Sequence, residues 1–272
     1  MICIISTIKP IDTMRYILIL VLIVFSLIAK AQKKTPELIT DRPDQTESSA
    51  VVPHKSLQIE TGFVMENKAT VFIEQKSYAY NTTLLRYGLL KNFELRLGMD
   101  YLGDKVSIKI SDTTNNVSGL SPIYTGFKIK IADEDGWKPE TAFLGGLVLP
   151  FSADKDYKPD YSAANIRFSF AHTLSDRFSI GYNLGAEWDG ETAVPGYFYS
   201  LALGIGITDK LGMFVEGYGL LPEEGDSENL FDVGFTYLVF PNFQLDLSGG
   251  IGLNDNAVDN FLSFGLTYRL PN

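Results

Sequence analysis

Cysteine and histidine are almost missing from this chain: its 272 residues include one Cys, Cys3, and two His, His54 and His172. A disulfide framework is therefore excluded, and a metal or nucleophile set built on Cys and His has little to draw on. Basic charge is also scarce. With 23 Lys and Arg against 33 Asp and Glu the formal net charge is -10, so no basic stripe is available to neutralise phosphates and nucleic acid is set aside as a partner. Past Ala31 there is no apolar run at helical spacing and no domain linker, which argues against a helical or multidomain chain.

The one continuous apolar run lies near the start. Met14-Arg15 precede "ILILVLIVFSLI" (Ile17 to Ile28), and Ala29-Lys30-Ala31 follow. A positive start, a short apolar stretch and an A-x-A site are the parts of a secretory signal peptide, and the run is short of the about 20 residues that cross a bilayer. Residues 1–31 are thus expected to be a signal peptide, with translation beginning at Met14 because Lys9 and Pro10 interrupt what precedes it. The segment carries Lys9, Arg15 and Lys30 against Asp12, net +2, so its removal takes the formal charge from -10 to -12 and removes Cys3 as well. No Cys follows the apolar run to carry a lipid anchor.

Residues 32–56 are polar, contain Pro and have no period, and are expected to form an irregular N-terminal segment. From Leu57 to the end a period of two prevails. In "FSIGYNLGAEW", Phe178, Ile180, Tyr182, Leu184, Ala186 and Trp188 fall on one face, with Ser179, Gly181, Asn183, Gly185 and Glu187 on the other. "LLKNFELRLGMDY", "TLSDRFSIGYN", "ITDKLGMFVEGY" and "VFPNFQLDLSGG" each place turn residues before such a strand, and "ADEDGWKP" is a slightly longer fifth turn. Mostly longer connections, after Leu102, Phe151 and Leu221, alternate with these. The pattern predicts about twelve strands, beginning near Leu57, Tyr78, Phe93, Pro122, Thr141, Ser162, Phe178, Gly196, Gly212, Leu230, Phe243 and Val258, with both termini on the short-turn side.

An even strand number, loops of unequal length at the two ends and an export signal are what an outer-membrane barrel requires. The expected fold is all-β: a closed, antiparallel, up-and-down transmembrane β-barrel of about 12 strands over residues 57–272. A soluble lipocalin-like barrel or double sandwich, with the apolar face inside, is the competing arrangement. The strand number and the aromatics at strand ends favour the membrane barrel, with Phe93, Phe178 and Phe243 in a periplasmic girdle and Tyr101, Trp188 and Tyr197 near the outer one.

Four stretches carry a resemblance. "LITDRPDQTESS" (Leu38 to Ser49) with "LQIETGF", "LLRYGL" with "FELRLG", "GLSPIYTGFKIKI" from Gly119 and "PETAFLGGLVLPF" from Pro139 resemble the bacterial family called putative MetA-pathway of phenol degradation. The likeness runs from about Thr40 through most of the chain. It implies an outer-membrane barrel importing small solutes, hydrophobic or aromatic compounds among them. Barrels of this kind usually finish on an aromatic residue, whereas this chain ends "FGLTYRLPN" with Tyr268 as its last aromatic.

Catalytic and metal motifs are weak. His172 lies near Ser175, as a lipid hydrolase would need, but a period of two puts them on opposite faces if both are in the strand. "ADEDGW" begins like a calcium loop with Asp133, Asp135 and Gly136 yet lacks the later ligands and the closing Glu. The acidic run Glu223, Glu224, Asp226 and Glu228 is expected to be a solvated loop, and "LGIGIT" around Gly204 precedes no helix and is no dinucleotide fingerprint. No catalytic residue, metal or cofactor is assigned.

Opposite the lipid side lie Glu60, Arg86, Glu94, Arg96, Asp100, Lys128, Lys130, Arg167, Glu187, Asp232, Asp246 and Arg269, charges that cost roughly 2–4 kcal/mol each for Arg or Lys at the bilayer midplane and so belong in the lumen. Asp41, Arg42 and Asp44 of "TDRPDQTE" are candidates for a partial plug pairing with them; a solvated tail is the alternative. A three-residue loop at Leu90 to Asn92 would set Arg86 opposite Arg96 and gather Glu60, Arg86, Glu94 and Arg96 in the periplasmic half. The expected function is a transporter or narrow channel for an unidentified small solute, in the outer membrane of a double-membraned bacterium; a non-conducting structural or adhesive barrel is the alternative. Its partners are outer-membrane lipid and that solute. A monomer suffices, because a closed barrel leaves no sheet edge.

Overall fold

The computed structural model describes residues 36–270, and the expected signal peptide lies outside the described residues. Strands β1 (Leu57–Ala69), β2 (Ile73–Leu90), β3 (Phe93–Ile108), β4 (Thr113–Leu120), β5 (Ile123–Ala132), β6 (Glu140–Leu149), β7 (Ala164–Thr173), β8 (Phe178–Glu187), β9 (Gly196–Gly206), β10 (Leu211–Pro222), β11 (Glu228–Phe240), β12 (Phe243–Gly252) and β13 (Asn260–Leu270) follow one another in chain order. All neighbours pair antiparallel. The sheet closes through β1 and β13, from Leu57↔Leu270 to Asn67↔Asn260.

Thirteen strands fill twelve positions, since β4 and β5 share one. The outer half of β3 pairs with β4, Tyr101↔Leu120 to Ile108↔Thr113, and its inner half with β5, Phe93↔Ile129 to Gly98↔Tyr124. Ser121-Pro122 makes the break, for proline has no N–H to donate to a ladder. Ser121 repairs it locally: its N–H donates to the Asp100 carbonyl (2.9 Å) and its Oγ accepts from the Asp100 N–H (2.9 Å). The stretch after Leu102 that reads as a long loop is therefore mostly strand. Its Val-Ser-Ile and Asn-Asn-Val-Ser pieces continue β3 and return as β4. Likewise β2 begins at Ile73, ahead of Tyr78.

With 18 and 16 residues, β2 and β3 are longer than the about 9–11 residues that span a bilayer. They run roughly 20 Å past it at about 3.4 Å per residue. A segment with short 3-10 turns at Pro150–Ser152 and Lys155–Tyr157 packs against this extension. The Tyr157 hydroxyl donates to the Asp104 carboxylate (3.0 Å) and the Leu120 N–H to that of Asp154 (2.7 Å).

The faces alternate as an inside-out protein requires. Along β3, Leu95, Leu97, Met99 and Tyr101 are exposed while Glu94 and Arg96 are buried. A row of rings crosses the outer face, Phe93 on Phe127 (5.9 Å), Phe127 on Phe143 (6.1 Å), Phe143 on Phe168 (5.0 Å) and Phe170 on Tyr182 (4.9 Å). Tyr101 and Tyr197 stand exposed near the outer end, but Trp188, one residue past β8, does not join them: it is half-buried against the loop that follows.

Candidate functional site

Residues 37–52 enter the barrel and form no strand. Irregular backbone at membrane depth persists only where protein satisfies its polar groups, and here wall side chains do so. The N–H of Asp41 donates to Glu60 (3.1 Å), that of Gln45 to Glu216 (2.8 Å), that of Glu47 to the Asn183 amide oxygen (2.7 Å) and that of Val52 to Glu94 (2.7 Å). In the other direction, Gln58 donates to the Ile39 carbonyl (2.8 Å), Arg86 to that of Ala50 (3.1 Å), and Arg269 to that of Glu37 (2.7 Å).

The charges meet at one place. Arg86 forms a side-on fork with Glu94, Nε to Oε1 at 2.9 Å and Nη2 to Oε2 at 3.0 Å, and pairs with Glu60 at 2.8 Å. Arg86 lies opposite Arg96 in the β2–β3 register, a like-charge pair that needs a carboxylate between. Glu94, available from the neighbouring position, supplies one, its Oε1 2.9 Å from Arg86 and 3.3 Å from Arg96, and Asp41 of the plug supplies a second, 3.0 Å from Arg86, 2.7 Å from Arg96 and 2.9 Å from Lys128. Glu47 adds a further pairing to Arg96, at 2.7 Å. The turn that allows this differs in form from a three-residue loop: β2 pairs as far as Leu90↔Phe93, with a bulge between Gly88 and Leu90. One bulged residue plus the two-residue turn Lys91-Asn92 gives the same odd offset, which keeps Arg86, Glu94 and Arg96 on one face.

Burial alone would raise the Asp41 carboxyl, but Arg86, Lys128 and Arg96 around it hold it well below the usual carboxylate range. Arg42 takes a separate seat, donating to Asp246 (3.1 Å), Ser263 (3.0 Å) and Thr82 (3.2 Å). The site is open for it because Gly62 and Gly265 face it; a Cβ on Gly265 would sit 2.5 Å from its Nη2. Asp44 departs from the expectation that it pairs with a lumen cation. Its burial and its neighbours Glu216 and Asp232 push its carboxyl well above the usual range. Glu216 and Asp232 are themselves opposed in the β10–β11 register and buried.

The other predicted interior residues lie apart from this cluster. Lys130 pairs with Asp133 and Glu140, both at 2.6 Å, near the short-turn end. Arg167 lies 3.7 Å over the Phe198 ring and 3.5 Å from Glu187, and Asp100 accepts from the Thr83 N–H (3.2 Å). Glu140, Asn183 and Glu216 of the wall contact the plug, and Glu47 within the plug pairs with Arg96, but none of the four stands out in the sequence. Glu216 follows Phe214 on the same inward face, so an apolar residue inside obscures the parity that would mark it. His172 and Ser175 do not meet: His172 stacks on Tyr182 (6.2 Å), and the Ser175 Oγ accepts from the Phe178 N–H (3.2 Å).

The segment separates two sets of cavities. One of about 410 Å³ opens at the short-turn end, between Thr40–Ala50 and the walls at Phe170, Ser179 and Phe214. On the other side lies a charged one of about 320 Å³, lined by Arg42, Glu47, Arg96, Asp100 and Tyr124.

The family described as Putative MetA-pathway of phenol degradation matches residues 40–270. Among solved structures, the COG4313 outer membrane channel from Pseudomonas putida F1 superposes with a TM-score of 0.67 at 11% identity, covering 84% of this chain and 99% of that one. The CymD monoaromatic hydrocarbon channel gives 0.46 at 8% identity, over 81% and 89% of the two chains. The transport unit of the autotransporter AIDA-I from Escherichia coli gives 0.49 at 9%, over 80% and 90%. No curated protein matches the chain.

Proposed function

The chain belongs to the Putative MetA-pathway of phenol degradation family, and on that premise we propose that it is an outer-membrane channel for small hydrophobic or aromatic solutes, closed at rest by its own residues 37–52. The observation that carries this is the seating of Asp41 among Arg86, Arg96 and Lys128, with Arg42 on Asp246. A plug held by ion pairs to the wall is displaceable, whereas a plug buried by apolar packing would be part of a core. Glu60, Arg86, Glu94, Arg96 and Lys128 are then the residues that hold the gate, and Asp100, Lys130, Arg167, Glu187, Asp232, Asp246 and Arg269 line the path on either side. The family description and the channel-type fold point to transport rather than catalysis, and the phenol named in that description suggests aromatic compounds. A closed barrel needs no partner to cover an edge, so a monomer is the working unit.

Liposome swelling with a panel of small solutes tests this directly. Deletion of Thr40 to Ser49 should raise single-channel conductance and make swelling solute-dependent. A barrel that stays impermeable after the deletion is a structural one, and the proposal fails.

A further inference from the structure

A cavity of about 320 Å³ sits at the outer ends of β8, β9 and β10, apart from the ion-pair cluster. Its apolar lining residues are Trp188, Val194, Pro195, Leu220 and Pro222. Its charged groups are all of one sign, Glu187, Asp189 and Glu224, with no Lys, Arg or His in the lining. We propose that this cavity is a capture site for small aromatic compounds bearing an ammonium group, placed at the outer end of the barrel, and that it rejects aromatic carboxylates.

The site is built by backbone contacts. The Trp188 N–H donates to the Ala164 carbonyl (2.9 Å), and the Glu223 N–H donates to that of Pro195 (3.1 Å), which ties the β10–β11 loop to the β8–β9 loop. Pro195 and Pro222 restrict the chain where the two loops leave the barrel, so little ordering remains for binding to cost. Gly196 lets Leu220 lie flat on the wall; a Cβ there would come within 2.8 Å of its Cδ1. The volume is at the lower end of the roughly 300–1,000 Å³ of ligand pockets, which suits a small aromatic molecule.

Charge decides the class. The Asp189 carboxylate accepts from the N–H groups of Glu191 (2.8 Å) and Thr192 (3.0 Å). The Thr192 and Glu191 donors hold its carboxyl below the usual range, so it stays ionised. Arg167 is the near cation, 3.5 Å from Glu187, but its guanidinium lies on Phe198, reaches the Gln45 carbonyl (3.4 Å) and is not part of the lining. An ammonium in the cavity has three carboxylate residues and Trp188 in its lining, and an indole ring attracts cations through its quadrupole. A carboxylate there faces Asp189 and Glu224 with no cation in the lining to receive it, Arg167 being engaged by Glu187 and Phe198.

The inference rests on the channel proposed above, and the two fail separately. Trp137 and Trp188 are the two tryptophans of the chain, and Trp137 is 84% exposed on a short turn at the opposite end. A Trp137→Phe variant in detergent micelles therefore reports on Trp188 alone. Titration with 2-phenylethylammonium should give saturable quenching, with benzoate giving none, and Glu187→Gln with Glu224→Gln should weaken the apparent affinity about tenfold. Calorimetry on the unmodified chain with the same two probes gives a second readout that needs no variant. Equal response to both probes, or none to 2-phenylethylammonium in either measurement, overturns the capture site even where swelling shows a working channel. Saturable binding in a barrel that never conducts upholds the site and removes the channel.

Discussion

Changing Asp41→Asn keeps the size of the side chain and removes the one plug charge that touches three wall cations. In the native chain its oxygens lie 3.0 Å from Arg86, 2.7 Å from Arg96 and 2.9 Å from Lys128, and all four side chains are at most 4% exposed. Solvent therefore screens them little, and surface ion-pair values do not apply. Removing one partner of a buried pair costs about 3–5 kcal/mol, because the other charge stays buried without compensation. At about 1.4 kcal/mol per tenfold, the docked-to-undocked ratio should fall by roughly 10²-fold to several 10³-fold. Glu94 and Glu60 still neutralise Arg86, so the barrel wall survives and the loss falls on the plug. Single-channel recording in planar bilayers should show larger or longer openings, and amide exchange at residues 41–49 should accelerate while that of β1 to β3 does not. Native conductance together with native exchange at those residues would refute the idea that ion pairs hold the plug.

Titration offers a second probe. The raised Asp44 carboxyl means that the docked plug binds a proton the undocked segment lacks, so its contribution to docking is complete below the usual aspartate range and is lost as pH rises through the raised value. Conductance should therefore grow with pH over that window, and Asp44→Asn should flatten the profile. Arg86→Ala removes a positive charge from the lumen and should shift the reversal potential in a salt gradient toward cation selectivity, while Glu94→Gln should shift it toward anions. Gly265→Ala places a Cβ 2.5 Å from Arg42 Nη2 and 2.6 Å from the Thr61 carbonyl oxygen, so it shifts both the wall and the plug and should displace Arg42 from Asp246 and raise conductance. Gly217→Ala, whose nearest neighbour would be 4.0 Å away, should match the native channel in the same recording.

The period of two from Leu57 onward was enough to define an inside-out barrel, because charge cannot face hydrocarbon and each strand therefore declares its own sides. Strand β8, with Phe178, Leu184 and Glu187, shows this without any partner in view. Even the juxtaposition of Arg86 and Arg96 follows from parity across a turn, although a bulge and a two-residue turn supply the offset that a longer loop would also give. Parity fails where a face is mixed, as with Phe214 before Glu216, and where proline divides one barrel position between β4 and β5. What only the tertiary structure decided is the place of residues 37–52. That segment has no period to read, and most of its backbone partners are wall side chains distant in the chain, from Glu60, 19 residues from Asp41, to Arg269, 232 residues from Glu37. Asp41 and Asp44 stand three positions apart in the same polar stretch, yet one lies among cations and the other beside carboxylates. Local sequence sets which groups a strand turns inward; closure of the barrel sets which of them a threaded segment meets.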